Sequence, residues 1–549
     1  MKRLSPIFLA LCVLVTAIVL LTPTVPLGVT GVNADGSPAV EWVWQRHRTV
    51  DGVADALERM LPAALAGALL FGVSRFGTPG TNSVRTTTAR PASAQPTSAQ
   101  TDSVGRWRAA ARYVALIAAA WLWGQQLQQT APMEHRETKP LWVLYDPSSS
   151  GYFFEAAFHM DSTAEFLAGY EARMQQGEVL HVGTHPPGLF LLSKGCLTLC
   201  EASPTLVSWL FSVQDVRQRE AFRLLESQTR FAPPLTTPQL AALQLLSGFT
   251  NLAVALTIIP LAFLSHLLLT RSIAWHLSCL WATFPCLAVF SPKSDVLFAL
   301  TSTTVLACGM AAMVSSSRRP VCRAVVAGGV LWLGLMLSLA HLPVVVLLIG
   351  FAAVRAIGNG RTTLQGDAIV LSTLAGTVLL LTVVFQWLTH CNLFAVWSWN
   401  LTNHAGFYDQ FTRTWWKWLL VNPIELAFST GLPVFALAIA GMISCLRHVR
   451  QKPSEAGHAF CTAALITLLA LWLSGKNQGE AARLWCFLTP WLLIAAGWYQ
   501  TSSLASESPV SPVVAPQSSR GSLTAADRLL IAQIAISILT VSHVSGFSF

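Results

Sequence analysis

Charge is scarce in this sequence. Only 11% of its 549 residues are Asp, Glu, Lys or Arg, while 53% are hydrophobic. Soluble domains carry roughly 25% charged residues. The scarcity excludes a water-soluble globule, because one aqueous core cannot hide so much apolar surface. Cysteine motifs are missing too. The 11 cysteines are odd in number, none forms a Cys-x-x-Cys pair, and most lie in apolar runs, as at Cys12, Cys279, Cys286, Cys308 and Cys461. This excludes a disulfide framework and a cysteine-built zinc site, and reads as cysteine used as a small hydrophobe. His181 and His185 are four residues apart, but no Glu follows the first, and Pro186 and Pro187 break the helix that would align them. Neither a metal nor another cofactor is expected. The net charge of +9 comes without any basic run interleaved with aromatics, which argues against a nucleic-acid groove. No clear internal repeat or row of charges inside the apolar segments marks a transporter.

What the chain has in quantity is apolar runs of membrane-spanning length. About 20 residues cross a bilayer as a helix, and about thirteen candidate spans fit: 7–25, 57–74, 109–128, 239–268, 273–291, 294–315, 324–340, 342–355, 368–388, 426–445, 459–474, 484–499 and 528–545. The expected fold is an all-α polytopic membrane protein. The basic start, Lys2 and Arg3, places the N-terminus inside. Arg75 to Arg112, Arg271, Arg319 with Arg323, Arg355 with Arg361, Arg447 to Lys452, and Arg520 then fall on that same side. The segment 188–211 resists: a single crossing would reverse every later loop. It is expected to lie in the interface, to re-enter, or to return within 203–237. Stretches rich in Ser, Thr, Ala and Pro are expected to be disordered cytoplasmic linkers. The predicted layout is a transmembrane hairpin over 1–77, a linker over 78–106, a transmembrane module over 107–500, a linker over 501–526 and a last transmembrane helix over 527–549.

The same topology gathers the polar segments 26–56, 129–237, 291–295, 389–425 and 474–483 on the outer face, with the turn at His341. Loop 129–237 holds Asp146, Glu155, Asp161 and His185, and residues 153–176 have the spacing of a helix lying in the interface.

Asp146, Tyr152, Ala156 and His185-Pro186-Pro187-Gly188 follow one another in an order that resembles the first catalytic loop of C-type (GT-C) glycosyltransferases. The resemblance is to the group of protein O-mannosyltransferases and lipid A aminoarabinose transferases, glycosyltransferase family 39. Two departures stand out: Pro147 follows the aspartate where Glu is common, and Gly188 replaces the usual Leu. "FSPKSDVLFALTST" (290–303) is similar to an outer turn of these enzymes, and "GKNQGEAARLWCFLTPWLL" (475–493) to their late polar loop. Segment 403–435 is similar to loops in uncharacterised bacterial relatives.

The resemblance implies about 11–13 transmembrane helices, with juxtamembrane helices in an outer catalytic loop. It implies transfer of a sugar from a polyprenyl-phosphate-linked donor to a glycan, lipid or protein acceptor, with inversion, on the periplasmic face of a bacterial inner membrane. A carboxylate must take the acceptor proton; Asp146 is the first candidate and Asp161 the second. A cation must hold the leaving phosphate; Arg483 is favoured for its planar fork, with Lys293, Lys476 and His185 behind it. Tyr152, Glu155, Asp295, His341 and Glu480 are candidate substrate contacts. Each has a plainer reading. Asp146 serves equally as a turn residue, Asp161 as a helix cap, Asp295 as the cap of the helix that follows, Glu480 and Arg483 as a local ion pair, and His341 as a satisfied structural histidine. The competing function is a transporter or flippase of lipid-linked sugars.

Overall fold

The structure is a computed structural model of the whole chain. It describes residues 5–22, 25, 27–32, 38–47, 53–77, 99–136, 139–214, 216–226, 234–314, 319–411, 413–448, 455–505 and 523–546.

The protein is an all-α polytopic membrane protein. Nine of its described helices are long and apolar enough to cross a membrane, and up to eleven spans result if each of two bent helix pairs counts as one. Three expected spans fall short. Pro6–Leu21 has 16 residues, about 24 Å at 1.5 Å per residue, against a hydrocarbon core of about 30 Å. Thr489–Ala505 has 17. Ala99–Gln128 is long but polar at both ends, with Arg106, Arg108 and Arg112 near one and Gln125, Gln126 and Gln128 at the other. Of the expected linkers, 78–98 and 506–522 lie outside the described residues. Residues 99–106 already belong to the Ala99–Gln128 helix, and 501–505 still belong to Thr489–Ala505.

The two bends have local causes. Gly188–Ala202 and Pro204–Val213 meet at 103°. Ser203 sits between them and accepts a hydrogen bond from the Leu206 amide at 3.3 Å, with Pro204 in the first turn. At about 22 Å and 15 Å, neither piece crosses alone, so segment 188–211 is not one straight span. The expected span 426–445 is also broken: Trp415–Thr430 and Leu432–Leu446 meet at 118°. Gly431 makes that corner with a φ of +88°, and a Cβ there would lie 2.2 Å from Gln533 Oε1, so the turn needs glycine.

The terminal helices are not appendages. One hydrophobic core runs from Leu9 and Leu20 through Trp123, Trp281 and Phe351 to Leu530 and Val544. Pro6–Leu21 and Val53–Gly77 both pack on Ala525–His543. Gln533 in that last helix donates to Thr430 O at 2.9 Å. A β-hairpin, Gly28–Val32 with Pro38–Val43, stands between the first two helices, and Gln45–Arg46 pairs with Val544–Ser545. The tryptophans divide. Trp415 and Trp416 are exposed as interface anchors, whereas Trp123, Trp275, Trp281, Trp418, Trp485 and Trp491 are fully buried.

Candidate functional site

A cavity of about 470 Å³ opens where the polar loops converge. Its first wall is the Asp146 turn. Asp146 follows the Leu141–Tyr145 turn, and its Oδ1 accepts from the Ser148 amide at 2.8 Å and the Ser148 hydroxyl at 2.7 Å. Its carbonyl accepts from the amides of Ser149 and Ser150. Asp146 therefore makes the Asx turn that its sequence suggested, and it lines the cavity as well. Gly151, at φ +73°, starts the Tyr152–Phe158 helix, and Tyr152 also faces the cavity.

The second wall is the His-Pro-Pro-Gly loop. Glu178 gathers its first turn by accepting from the amides of Leu180, His181 and Gly183. Asn400 and Asn403, on the Leu393–Gln410 helix, both donate to Gly183 O at 2.9 Å, and Tyr170 donates to His185 O at 2.8 Å. The loop is thus held on both sides of His185, whose own carbonyl also accepts from Asn400 at 3.3 Å. Gly188 then enters the next helix against a neighbouring chain segment: a Cβ there would lie 2.4 Å from Met336 O. That contact explains why glycine stands where the resembling enzymes have leucine.

The third wall carries the charges. Arg483 pairs with Glu480 (Nη2 to Oε2, 2.5 Å) and more loosely with Asp295 (Nε to Oδ2, 3.9 Å). Glu480 has a φ of +57°, a left-handed conformation unusual for a residue with a side chain. Lys293 is buried, and its ammonium donates to Ser149 O and to Ser150 Oγ. It fastens the far end of the turn that begins at Asp146.

Burial dominates the electrostatics. Lys293 is pulled down to about 7 by burial, with the Arg483 charge adding to the effect. His185 is pushed down to about 3 by burial and by Lys293, and His181 falls well below the usual histidine range for the same reasons. Arg483 is held above the usual arginine range: burial works against its charge, but Glu480 and Asp295 outweigh it. The histidines are therefore neutral at physiological pH. In neutral His185 the hydrogen sits on Nδ1, which donates to His181 O at 3.1 Å. Its Nε2 is then an acceptor.

Seven of the eleven expected site residues line this one cavity: Asp146, Tyr152, His185, Lys293, Asp295, Glu480 and Arg483. Four lie outside it. Asp161 is exposed, and the following helix is capped by Ser162 instead. Glu155 is engaged with Arg173 and with His159 at 3.0 Å. His341 is buried between Thr301 Oγ1 at 2.7 Å and Ser338 O at 3.0 Å, which is its structural reading. Lys476 is exposed, and only its carbonyl reaches toward the site, accepting from Tyr408 at 2.6 Å.

Sequence reasoning passed over Trp42, Trp142, His404, Tyr408, Arg413 and Gln478, all of which line the cavity. Arg413 and Tyr408 lie in the 403–435 stretch already noted, so a signal was there. Trp42 had none that pointed here. It arrives because Glu41, beside it on the hairpin, accepts from the Thr414 amide at 2.9 Å and from Trp418 Nε1 at 2.7 Å. Among the described residues, no group of three or more His, Cys, Asp or Glu side chains is arranged to hold a metal ion.

The sequence matches no protein-family model and no curated protein. Among solved structures it is similar to a crystal structure of the Archaeoglobus fulgidus oligosaccharyltransferase in complex with Zn and sulfate. The identity is 14%, the TM-score is 0.38, and the match covers 60% of this chain and 44% of that one. The chain thus spans less than half of that protein, and a likeness at this level carries no assignment.

Proposed function

We propose that the cavity transfers a sugar from a polyprenyl-phosphate-linked donor to an acceptor hydroxyl. The observation that carries this reading is the meeting of Asp146, Arg483 and Lys293, from three separate loops, in one cavity at the end of an apolar helix bundle. Membrane bulk supplies the prenyl chain's surroundings, and the cavity has room for a sugar phosphate; ligand clefts run from about 300 to 1,000 Å³.

The acceptor oxygen attacks the anomeric carbon while the bond from that carbon to the phosphate oxygen breaks. The acceptor proton passes to Asp146, and the electron pair leaves with the phosphate, which Arg483 stabilises. Inversion follows from a single displacement. Lys293 serves as a positioning residue here, because its ammonium is committed to the Asp146 turn. His185, neutral with Nε2 as acceptor, suits a sugar hydroxyl better than a phosphate oxygen. The acceptor is a glycan, lipid or protein, and the setting is a bacterial inner membrane with the cavity on its periplasmic face. Clustering of the ionisable groups at one end of the bundle favours surface chemistry over passage of a substrate.

The test uses purified full-length protein, polyprenyl-phosphate-linked sugars and a panel of acceptors. Transfer by the native chain, lost in Asp146→Asn, is expected. Turnover of Asp146→Asn equal to the native chain would remove Asp146 from the reaction.

A further inference from the structure

The 470 Å³ cavity has an aromatic face that the transfer step leaves unused. His404, Phe407, Tyr408 and Phe411 all line it. Their spacing, i, i+3, i+4 and i+7, is one face of the last two turns of the Leu393–Gln410 helix. Phe411 caps that helix, its amide donating to Phe407 O at 2.8 Å. We propose that this face binds the acceptor, and that the acceptor is a carbohydrate, a glycan or the sugar head of a glycolipid, seated with a ring face on Phe411. This rests on the transfer reading above and narrows its acceptor.

Three observations lead there. First, the face is a stack with an open end. The rings of Phe407 and Phe411 lie 4.9 Å apart and 24° from parallel, and the Arg413 guanidinium lies 5.8 Å from the Phe407 centroid. Phe411 ends the stack and is 42% exposed. Its ring offers a negative π-face, on which the positively polarised C–H groups of a sugar ring settle. Second, polar atoms of both kinds stand among the rings without a partner. Gln478 Oε1 and Arg413 Nε are buried and have no hydrogen-bond partner among the described residues, and both residues line the cavity. One accepts and the other donates. Hydroxyls do both, so a sugar satisfies the two atoms together. A prenyl chain satisfies neither, and a phosphate, which only accepts, satisfies Arg413 alone. Third, the face is fastened to the charged end. Tyr408 donates to Lys476 O at 2.6 Å and accepts from the Gln478 amide at 3.0 Å, which joins the helix to the loop carrying Glu480 and Arg483. With the donor phosphate on Arg483 and the donor sugar on His185, the aromatic face remains for the acceptor. A ring seated there shares one void with Asp146, the group that takes its proton.

Phe411 provides the test, because its exposure lets the side chain change without opening the core. Purified full-length protein, without donor, is titrated with manno-, gluco- and galacto-configured trisaccharides and with a Ser/Thr-rich decapeptide, and binding is read by saturation-transfer NMR. The same compounds then serve as acceptors with polyprenyl-phosphate-linked sugars. Expected is binding of, and transfer to, at least one trisaccharide in preference to the peptide. Phe411→Leu keeps apolar bulk but removes the ring; it should weaken trisaccharide binding and raise the acceptor KM roughly three- to tenfold, with the donor KM unmoved. Phe411→Trp restores a ring and should recover both. Gln478→Leu, which deletes the unpaired acceptor atom, should weaken trisaccharide binding as well. Preference for the peptide, equal trisaccharide binding by Phe411→Leu and the native chain, or no binding of any trisaccharide each overturn the proposal. Transfer to the peptide alone would remove the carbohydrate acceptor and keep the transfer reading. Trisaccharide binding lost in Phe411→Leu, without transfer from any donor, would keep the carbohydrate site and remove the transfer reading.

Discussion

Two polar regions sit at opposite ends of the Phe298–Val314 helix, and both are built around an arginine and a carboxylate. They differ in how that arginine is satisfied. At the Arg355 end, a single acid, Asp367, takes the guanidinium through two oxygens, at 2.7 and 2.9 Å, and the surroundings are threonines and apolar side chains. At the Arg483 end, two acids share the guanidinium at unequal distances, 2.5 and 3.9 Å, while a third carboxylate, a buried lysine and three histidines share the same space. The first arrangement holds helices together. The second leaves several ionisable groups facing one void, which is the condition for acid–base chemistry in a low-dielectric site.

Breaking the two ends should have different consequences. The largest effect belongs to Asp146→Asn: transfer should fall by roughly 10² to 10⁴, the usual worth of a general base, with the thermal unfolding midpoint little changed. Arg483→Gln comes next. Removing one preorganised charge from a transition state costs about 3 kcal/mol, near 10²-fold in rate, and Arg483→Lys should recover part of that loss. Arg355→Met inverts the pattern. It leaves Asp367 buried without its partner and should cost about 3 kcal/mol of stability, while transfer per folded molecule stays at the native level. An unchanged midpoint in Arg355→Met would erase the contrast between the two ends.

A smaller effect concerns pH. Lys293 and Lys139 are each pulled down to about 7 by burial. Below pH 7 both are charged in the folded and unfolded chain, and folding bears the full cost of burying them. Between about 7 and the unfolded value near 10.4, the unfolded chain holds the extra protons, so stability should rise with pH across that window. Lys293→Met should remove about half of the rise in unfolding midpoint; a slope identical to the native one would show that Lys293 is not the buried charge described here. The smallest effects are expected for Asp161→Asn and Lys476→Gln. Both residues are exposed and outside the cavity, so stability should stay within about 0.5 kcal/mol and transfer near native.

The apolar architecture was legible because twenty-residue runs have one physical use. The site was legible where local motifs announced it: the Asp146 turn, the His185 loop, the Lys293–Asp295 turn and the Glu480–Arg483 pair each stand out within ten residues of sequence. Their convergence was suggested only by topology. Glu155 and Asp161 share the loop with Asp146 but face elsewhere, since helix phase and the Arg173 partner decide their direction, and neither is visible in a list of acidic residues. Trp42 and Arg413 show the opposite case: each lies in a stretch that stands out by composition, but their meeting is hidden. They reach the cavity through the Glu41 contacts with Thr414 and Trp418, more than 370 positions apart in the chain, and no local pattern encodes such a pairing. The corner at Gly431 was equally silent until Gln533 supplied the atom that a side chain there would strike.

The most direct measurement is a structure of full-length Asp146→Asn with a polyprenyl-phosphate-linked sugar trapped by the missing base. The sugar phosphate should lie against Arg483, with the anomeric carbon facing residue 146 and a sugar hydroxyl on His185 Nε2. A sugar phosphate bound away from Arg483, with its anomeric carbon out of reach of residue 146, would contradict the assignment of chemistry to this end of the molecule.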